Sequence, residues 1–367
     1  MFDTDAFVLG GGPAGLAAAI AARSQGFTVT LADAERPLID KACGEGLMPD
    51  SLAAAARLGI NVTPEHGHYF RGIRFENGAH SVTSDFPQGS GIGVRRPVLH
   101  RLLMDRAEAV GVRLLWGTPI GNLKGHSIQV GSATLSARWI VGADGTQSRV
   151  RRWAGLQQFI RNSKRFSYRR HYRIAPWSEY MEIHWEKGCQ FYVTPVSARE
   201  VCVVLMSHQP QLRISEALAR FPGLQSRLLR AEITTPERGA IAAVRRLWRV
   251  SRGNVALIGD ASGTVDPITG EGMCLAFRQA HALSDALVQS NLALYEKAHR
   301  EICRRPRFMS DFMLLMDKSD FLQRRTLRAF ELDPHLFSNL LAMHVGKLSP
   351  GGFLRTAAAL GWRMATI

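Results

Sequence analysis

The stretch at residues 6–15, which reads AFVLGGGPAG, decides the fold of this 367-residue chain. Its first four residues form a short apolar run that is typical of a buried parallel strand. Ala14 to Arg23 then predicts an alanine-rich helix, Gly26 ends it, and Phe27 to Leu31 predicts a second strand. A strand, a glycine-rich turn, a helix and a second strand together indicate a βαβ unit at the N-terminus.

The glycine turn in this stretch fits the pattern G-x-G-x-x-G at Gly10, Gly12 and Gly15. Gly10 permits the tight turn out of the strand, Gly12 lets the backbone approach a pyrophosphate, and Gly15 lets helix and strand pack closely. Pro13 and Ala14 open the helix, where free N–H groups and the positive helix end favour phosphate. The turn therefore predicts a dinucleotide site.

An acidic residue in the expected place strengthens this prediction. Asp33 lies 18 residues beyond Gly15, at the end of the second strand. Its carboxylate can accept hydrogen bonds from both ribose hydroxyls of an adenosine. Ala34 follows and is predicted to line the same site. Since NAD and FAD both use such a turn, the choice between them must come from other motifs.

Two later blocks each consist of a buried strand that ends in a loop. Residues 140–148 read IVGADGTQS, and residues 254–272 read NVALIGDASGTVDPITGEG and lead into a helix. The candidate cofactor-binding residues in these blocks are Asp144, Gly145, Gly259, Asp260, Pro267, Gly270, Gly272 and Met273.

In order and spacing, the three blocks resemble the p-hydroxybenzoate hydroxylase superfamily of FAD-dependent oxidoreductases. This superfamily holds the UbiH-like flavin monooxygenases, the geranylgeranyl reductases and the flavin halogenases, and the resemblance covers roughly the first 300 residues. It implies that the cofactor is FAD, with Gly10, Gly12 and Gly15 at the pyrophosphate and Asp33 at the adenosine ribose. Because no second G-x-G-x-x-G follows a strand, NAD(P)H is expected to dock transiently as the reductant.

The resemblance also assigns the flavin half of the site. It implies that Arg96 meets the ribityl and phosphate region, that Asp260 binds a ribityl hydroxyl, and that residues 267–272 lie along the isoalloxazine ring. Asp144 and Gly145 match a loop that touches FAD and passing NAD(P)H.

Two further features bear on the flavin. Cys43 and Gly44, in KACGEGL at residues 41–47, are predicted cofactor contacts. A helix that begins near Gly272 would direct its positive end at the flavin, where reduction places negative charge. The charge of Glu271 would oppose this effect unless the side chain points away.

The predicted fold class is α/β: a Rossmann-like FAD-binding domain with an inserted antiparallel β-sheet substrate domain and a helical C-terminus. Aromatic and β-branched segments at residues 166–174, 180–185, 190–194 and 201–206 predict the inserted sheet. The expected FAD-binding segments are 1–70, 91–160 and 246–300, the substrate-binding segments are 71–90 and 161–245, and the helical region is 301–367. Other expected elements are helices at 51–58 and 97–110, a strand-like segment at 72–84, a strand at 112–116, a hairpin at 127–130 and 133–135, and short buried strands at 139–141 and 255–258.

Motifs near the reactive end favour two different activities. The KACGEGL segment and Thr269–Gly272 resemble geranylgeranyl reductases, whereas residues 169–177 and 191–195 resemble UbiH-like monooxygenases. The first hypothesis is an NAD(P)H-dependent monooxygenase that hydroxylates an aromatic or polyketide-type lipophilic molecule through a flavin C4a-hydroperoxide. The alternative is a reductase of prenyl or polyene double bonds. A flavin halogenase and a non-enzymatic FAD-binding protein rank last.

The candidate catalytic residues are Cys43, His171, Tyr192 and Pro267. Cys43 could donate a proton in a reductase, or it could simply be a small buried residue in a turn. Strand alternation puts Arg169, His171 and Arg173 on one sheet face, either towards the substrate or as an exposed basic stripe.

The composition indicates which cellular environment and which partners to expect for the protein. Five scattered cysteines with no CxxC pair favour neither a metal site nor disulfides, and predict a cytoplasmic protein. The net charge of +15 is interpreted mainly as a solubilising surface, with weak peripheral contact with an anionic membrane as the functional alternative. No nucleic-acid recognition motif is present. The expected partner is a lipophilic small molecule, and the expected assembly is a monomer or homodimer.

The C-terminal region contains two apolar, arginine-dotted helical segments, Phe308–Phe321 and Phe353–Met364. We expect them to pack against the FAD-binding domain, with a cap over the substrate pocket or a membrane-facing role as alternatives.

Overall fold

A computed structural model of the chain describes residues 1–78 and 80–367, with only the backbone described at Asn162, Ser163, Ala243 and Pro350. The strands are β1 (Thr4–Leu9), β2 (Val29–Ala32), β3 (Gly46–Leu47), β4 (His68–Phe70), β5 (Gly72–Asn77), β6 (His80–Asp85), β7 (Gly91–Gly93), β8 (Arg113–Leu115), β9 (Ile120–Lys124), β10 (Ser127–Val130), β11 (Ala133–Gly142), β12 (Phe159–Arg173), β13 (Tyr180–Glu186), β14 (Cys189–Ser197), β15 (Glu200–Ser207), β16 (Glu232–Ile233), β17 (Arg238–Leu247), β18 (Ser251–Arg252), β19 (Val255–Leu257) and β20 (Gly263–Thr264).

The helices begin directly after the glycine turn and dominate the C-terminal third. They are α1 (Pro13–Ser24), α2 (Pro49–Ala56), α3 (Arg96–Ala109), α4 (Arg149–Trp153), α5 (Ile214–Leu218), α6 (Pro222–Leu228), α7 (Gly272–Val288), α8 (Leu292–Asp317), α9 (Asp320–Leu332), α10 (Pro334–His344) and α11 (Pro350–Thr366). Short 3₁₀ turns occur at Pro64–His66, Gly259–Ser262 and Pro267–Thr269. None of the helices in the described part of the chain has the length and apolar character that a bilayer crossing requires.

The first sheet has eight strands. Its main path has the order β18-β19-β11-β1-β2-β8 and is parallel except at β18, while β10 and β9 add antiparallel strands beside β11. Phe7 and Val8 in its central strand are completely buried, because helices cover both faces of such a sheet. The carboxyl ends of β1, β2, β11 and β19 meet at one edge, which is where open α/β sheets bind ligands.

Strand β11 corrects one expectation. Residues 133–135 and 139–141 were expected in separate strands, but they belong to the single strand Ala133–Gly142. Its first half pairs antiparallel with β10, and its second half pairs parallel with β1. The hydrophobic pattern breaks in the middle of the strand because its two halves have different neighbours.

The second sheet has the order β20-β17-β12-β15-β14-β13-β5-β6, with β16 paired to β12. It is antiparallel, as expected, except that β13 and β5 run parallel. The strand-like segment 72–84 forms the hairpin of β5 and β6, and Ala79 within it lies outside the described residues. A small third sheet of β3, β7 and β4 connects the two larger ones.

Helices cover both faces of the second sheet. On one face, α5 and α6 pack on Phe191, Val203 and Leu205. On the other face, α9 and α10 pack on β6 and share a core with Phe75 and Trp185. Helices α9–α11, expected on the FAD-binding domain, pack mainly with the second sheet, because this sheet has an apolar second face to bury. His344 at the end of α10 also lies 3.0 Å from the carbonyl oxygen of Thr269 in the FAD-binding segment. Helix α8 runs unbroken across residue 301, where the helical region was expected to begin.

Candidate functional site

A cavity of about 600 Å³, here called the main cavity, opens where the first sheet, the second sheet and the start of α7 meet. This volume lies within the ordinary range of cofactor and ligand pockets. The predicted residues that line it are Gly10, Gly12, Pro13, Ala14, Asp33, Ala34, Cys43, Gly44, Arg96, Asp144, Gly145, Tyr192, Gly259, Asp260, Pro267, Gly270, Gly272 and Met273. Gly15 and His171 do not line it.

The glycine turn requires glycine for two different reasons. Gly10 has a φ of +116°, and a Cβ on it would lie 2.4 Å from the carbonyl oxygen of Ala143. A Cβ on Gly15 would lie 1.8 Å from the carbonyl oxygen of Gly10. Gly15 therefore serves the packing of α1 against β1, as its motif position predicts, rather than direct contact with a pyrophosphate.

Five glycines form a cradle along the cavity. A Cβ added to any of them would meet no protein atom within 4 Å, so space is left open beside exposed backbone. Glycines of this kind allow a bulky ligand to approach the main chain closely. They are Gly12, Gly44, Gly145, Gly270 and Gly272. This cradle fits the phosphates and flat ring of a dinucleotide such as FAD.

Asp33 is held rigidly at the end of β2. Its Oδ2 accepts from the backbone N–H of Gly11 at 2.6 Å, and its Oδ1 accepts from the N–H of Glu35 at 2.8 Å. Each oxygen keeps a lone pair for a ribose hydroxyl in the cavity. Sequence reasoning did not find a contact that supports the turn from behind. Nε2 of the buried His100 is hydrogen-bonded to the carbonyl oxygen of Gly11 at 2.9 Å. Burial lowers the pKa of His100.

Asp260 and Asp144 present carboxyl groups to the cavity. Asp260 is open to the cavity but enclosed by protein, and this enclosure raises its pKa despite the nearby Arg96. Asp144 caps α4 by accepting from the N–H of Arg149 at 2.6 Å, whereas its buried Oδ1 has no hydrogen-bond partner among the described residues. The carboxylate of Asp260 can accept hydrogen bonds from the hydroxyls of a bound ligand.

The start of α7 resolves the doubt about Glu271. Its side chain is buried and does not line the cavity, while neighbouring Gly270 and Gly272 do. Its Oε2 lies 3.7 Å from Nδ1 of His344, and burial raises its pKa. The positive end of α7 therefore faces the cavity without an opposing carboxylate from this residue.

The KACGEGL loop is held by a buried carboxylate that the sequence did not single out. Glu45 is completely buried with a φ of +60°. It accepts from the N–H of Arg96 at 2.9 Å, from Nη1 of Arg169 at 3.1 Å and from Nε2 of His171 at 2.7 Å. Arg169 in turn forms a bidentate pair with Asp40 at 2.7 and 2.9 Å. The network fixes the loop against the second sheet.

These contacts correct the role predicted for His171. It lies on the same face of β12 as the cavity-lining Ser167, but it is completely buried between Glu45 and Thr235. His171 therefore orients the loop and does not face substrate. Arg173, two residues on, pairs with Glu232 at the surface, because β12 emerges from the core between these positions.

Tyr192 and Pro267 both line the main cavity, as does Cys43. The Tyr192 hydroxyl donates to Oε1 of Gln190 at 3.1 Å and lies 3.3 Å from the carbonyl oxygen of Ile268. Burial raises its pKa well above the usual value, so the hydroxyl remains protonated and can act as a donor.

A buried ion pair supports the Pro267 turn. Asp266 caps the turn by accepting from the N–H of Ile268 at 3.0 Å, and it pairs with Arg165 at 3.1 Å. Arg165 also lies 3.5 Å from Asp317 in α8. Sequence reasoning did not find this connection, because Arg165 lies 101 positions from Asp266 in the chain and even farther from Asp317.

The second sheet contributes one wall of the main cavity, here called the substrate wall. Its cavity-lining side chains carry no charge and are mostly apolar. They are Ser167, Met181, Tyr192, Thr194, Val204, Met206, Ala240, Ile241 and Ala242. The opposite part of the lining, here called the cofactor wall, consists of the glycine turn, the 41–46 loop, Arg96 and the loops at 143–149 and 259–273.

Comparison with known proteins explains the cofactor wall. The FAD-binding-domain family matches residues 3–182. The chain carries this FAD-binding domain, and it is an FAD-dependent oxidoreductase with the p-hydroxybenzoate hydroxylase-like fold. Its cofactor is FAD, and the predicted fold class is confirmed. The open glycine cradle and the unpaired oxygens of the cofactor wall fit this cofactor.

Relatives within the superfamily differ in chemistry. The chain is 27% identical over 316 residues to the menaquinone reductase of Mycobacterium tuberculosis, covering 79% of this chain and 78% of the relative. It superposes on a flavoprotein/dehydrogenase from Cytophaga hutchinsonii with a TM-score of 0.84 at 18% identity, covering 99% and 100% of the two chains. It superposes on 2-methyl-3-hydroxypyridine-5-carboxylic acid oxygenase with a TM-score of 0.72 at 23% identity, covering 94% and 96%.

Proposed function

We propose that the protein is an NAD(P)H-dependent monooxygenase that hydroxylates a neutral aromatic or polyketide-type molecule. The observation that carries this proposal is that the main cavity combines the uncharged substrate wall with the cofactor wall. A charged substrate left without a partner against such a wall would lose its hydration without compensation. A flat, lipophilic molecule with few polar groups suits it best.

The reaction would consume one O₂, one NAD(P)H and one proton for each substrate, and release NAD(P)⁺, water and a product with one new hydroxyl. Bound FAD would supply the redox and oxygen-transfer chemistry. The glycine cradle, Asp33, Arg96 and Asp260 would hold it. The protein's own contribution would be to exclude water and to orient the substrate ring.

Tyr192 is the residue we propose for orienting the substrate. Its hydroxyl lines the cavity, remains protonated and lies beside the Pro267 turn. While it donates to Gln190, its oxygen can accept a hydrogen bond from a hydroxyl on the substrate ring. Tyr192→Phe should therefore lower kcat/KM by about tenfold, the loss expected for one directed hydrogen bond, without changing FAD content.

A second candidate function is the reduction of a prenyl or polyene double bond. Cys43 favours this function, since it lines the cavity within the KACGEGL loop. A relative of the chain is also named a reductase, the menaquinone reductase of Mycobacterium tuberculosis. Sγ of Cys43 accepts from the N–H of Glu45 at 3.4 Å, which holds the thiol in place and leaves its proton available for donation. Cys43→Ser should abolish alkene reduction and leave hydroxylation nearly unchanged.

The deciding experiment follows oxygen uptake and NAD(P)H oxidation by the purified FAD-loaded protein, with phenolic and prenyl substrates. Hydroxylated product in step with oxygen uptake supports the monooxygenase. Turnover without oxygen, with saturation of an alkene, overturns it in favour of the reductase. Slow NAD(P)H oxidation that no substrate stimulates would count against both.

A further inference from the structure

A second cavity, here called the basic cavity, lies outside the FAD site between the β17–β18 turn and α8. It has a volume of about 720 Å³ and opens to solvent. Its lining contains five arginines and one glutamate. The arginines are Arg246, Arg249, Arg252, Arg300 and Arg307, and the glutamate is Glu296.

The positive charge of this cavity is not neutralised from within. Oε1 of Glu296 accepts hydrogen bonds from the N–H groups of Val250 and Ser251, both at 2.8 Å. The lining histidine, His299, is uncharged at neutral pH because burial lowers its pKa to about 3. The cavity therefore keeps a strong excess of positive charge.

Four of the arginines also lack partners of their own. Within residues 1–78 and 80–367, no carboxylate lies at ion-pair distance from Arg246, Arg249, Arg300 or Arg307. Burial lowers the pKa of Arg307, and repulsion from Arg246 adds to this effect, while Cys303 and the carboxylate of Asp311 act against it. Gathering cations around an open cavity costs free energy unless an anion binds between them.

We propose that the basic cavity binds the phosphate or pyrophosphate group of a small-molecule ligand. Guanidinium groups match phosphate oxygens in pairs, and several of them around one cavity select for multiple negative charges. The exposed Trp248 and Ile160 line the same cavity and offer apolar surface to the rest of the ligand. The source of the phosphate would be either a nicotinamide dinucleotide phosphate or another pyrophosphorylated small molecule.

Arg307 connects this cavity to the FAD site, because it lines both cavities. Cys303, one helical turn before Arg307 in α8, lines the main cavity. His299, a further turn back, lines the basic cavity, and its Nε2 is hydrogen-bonded to the Ser262 hydroxyl at 2.9 Å. An anion that draws Arg307 towards the basic cavity would change the charge beside the flavin. Binding should therefore alter the flavin absorption spectrum.

The test titrates the FAD-loaded protein with inorganic pyrophosphate at low salt, following Trp248 fluorescence and flavin absorbance. Trp248→Phe identifies the tryptophan signal. The double variant Arg249→Gln/Arg300→Gln should weaken binding by at least about tenfold, since each charge-assisted contact is worth about one factor of ten. The matched control Arg324→Gln/Arg355→Gln removes the same charge from exposed positions outside both cavities and should bind as the unaltered protein does.

Two outcomes would overturn the proposal: no saturable pyrophosphate binding, or equal loss of binding in the control variant, which would indicate general surface charge. Both double variants should retain their FAD and their thermal stability, so that misfolding is separated from loss of the site. Competition then distinguishes the sources. Displacement of pyrophosphate by NADP⁺, an oxidised nucleotide that cannot reduce the flavin, supports the nucleotide, and weaker displacement by NAD⁺ would assign part of the contact to the 2′-phosphate. Displacement by neither supports another pyrophosphorylated ligand.

Discussion

The two walls of the main cavity are built in opposite ways. The cofactor wall presents backbone, glycines and a few fixed charges such as Asp33 and Arg96, whereas the substrate wall presents uncharged side chains from five strands. The first wall depends on main-chain geometry that tolerates almost no change. The second depends on the volume and polarity of side chains, which can vary without disturbing the sheet. The difference separates what the superfamily shares from what can differ within it.

The largest expected effect comes from a methyl group in the cofactor wall. Gly15→Ala would place a Cβ 1.8 Å from the carbonyl oxygen of Gly10, so α1 and β1 could not keep their present contact. We expect little folded, FAD-containing protein. Gly12→Ala is the matched control, because its Cβ meets nothing within 4 Å; this variant should fold normally and bind FAD more weakly.

The measurements are the flavin-to-protein absorbance ratio and the thermal unfolding of both variants. Equal stability of the two would refute the distinction between a packing glycine and a ligand-facing glycine.

The next effect concerns the network that joins the two walls. Arg169→Met removes the buried guanidinium that pairs with Glu45 and Asp40. Glu45 keeps His171 and Asp40 keeps Arg238, so the free energy of unfolding should fall by about 2–3 kcal/mol. Arg173→Met, two residues along the same strand, removes only an exposed pair with Glu232 and should change stability by less than about 1 kcal/mol. Urea unfolding at neutral pH measures both. Similar losses would show that the Glu45 network does not join the walls as described.

A charge in the substrate wall should affect substrate but not cofactor. Ile241→Asp places a carboxylate on a position that is open to the main cavity. We expect the KM of a neutral lipophilic substrate to rise by about tenfold or more, because binding would desolvate the charge, with FAD content unchanged. Ile233→Asp, at an exposed position outside the main cavity, is the control. Loss of FAD from the Ile241 variant would contradict the division into two walls.

The smallest expected effects are pH dependences of opposite sign in the two regions. On the second sheet, burial alone would lower the pKa of His184, but hydrogen bonds with Glu182 and Glu76 outweigh it and raise that pKa. Its contribution is therefore complete below about pH 6.5 and is lost as pH rises through the folded-state pKa. Behind the cofactor wall, His299 has a pKa of about 3 because of burial. Its contribution is complete above about pH 6.5 and is lost as pH falls towards 3.

Each histidine can change the free energy of unfolding by at most about 1.4 kcal/mol per pH unit. His184→Gln should flatten the alkaline side of the stability profile, and His299→Gln should flatten the acid side. Thermal unfolding across the pH range gives both slopes. A flattening on the wrong side for either variant would contradict the assigned protonation states.

Sequence reasoning found the cofactor wall because its residues lie close together in short motifs. Asp33, Asp144 and Asp260 each follow a buried strand, and all three line the cavity. It did not foresee that Glu45 and Thr235 enclose His171 away from the main cavity, since strand alternation predicts a face but not what covers that face. It did not find Glu45 or Arg165 as structural residues, because their partners are distant in the chain.

The sequence by itself determined the dinucleotide turn, the resemblance that implies FAD and the motifs whose residues line the main cavity. These depend on local backbone geometry, which a glycine, a strand end and a helix start express over a few consecutive residues. Only the tertiary structure decided which sheet face meets the cavity, which arginines are neutralised by carboxylates and which surround the basic cavity. These depend on distances between residues from remote strands and helices, and packing alone sets such distances.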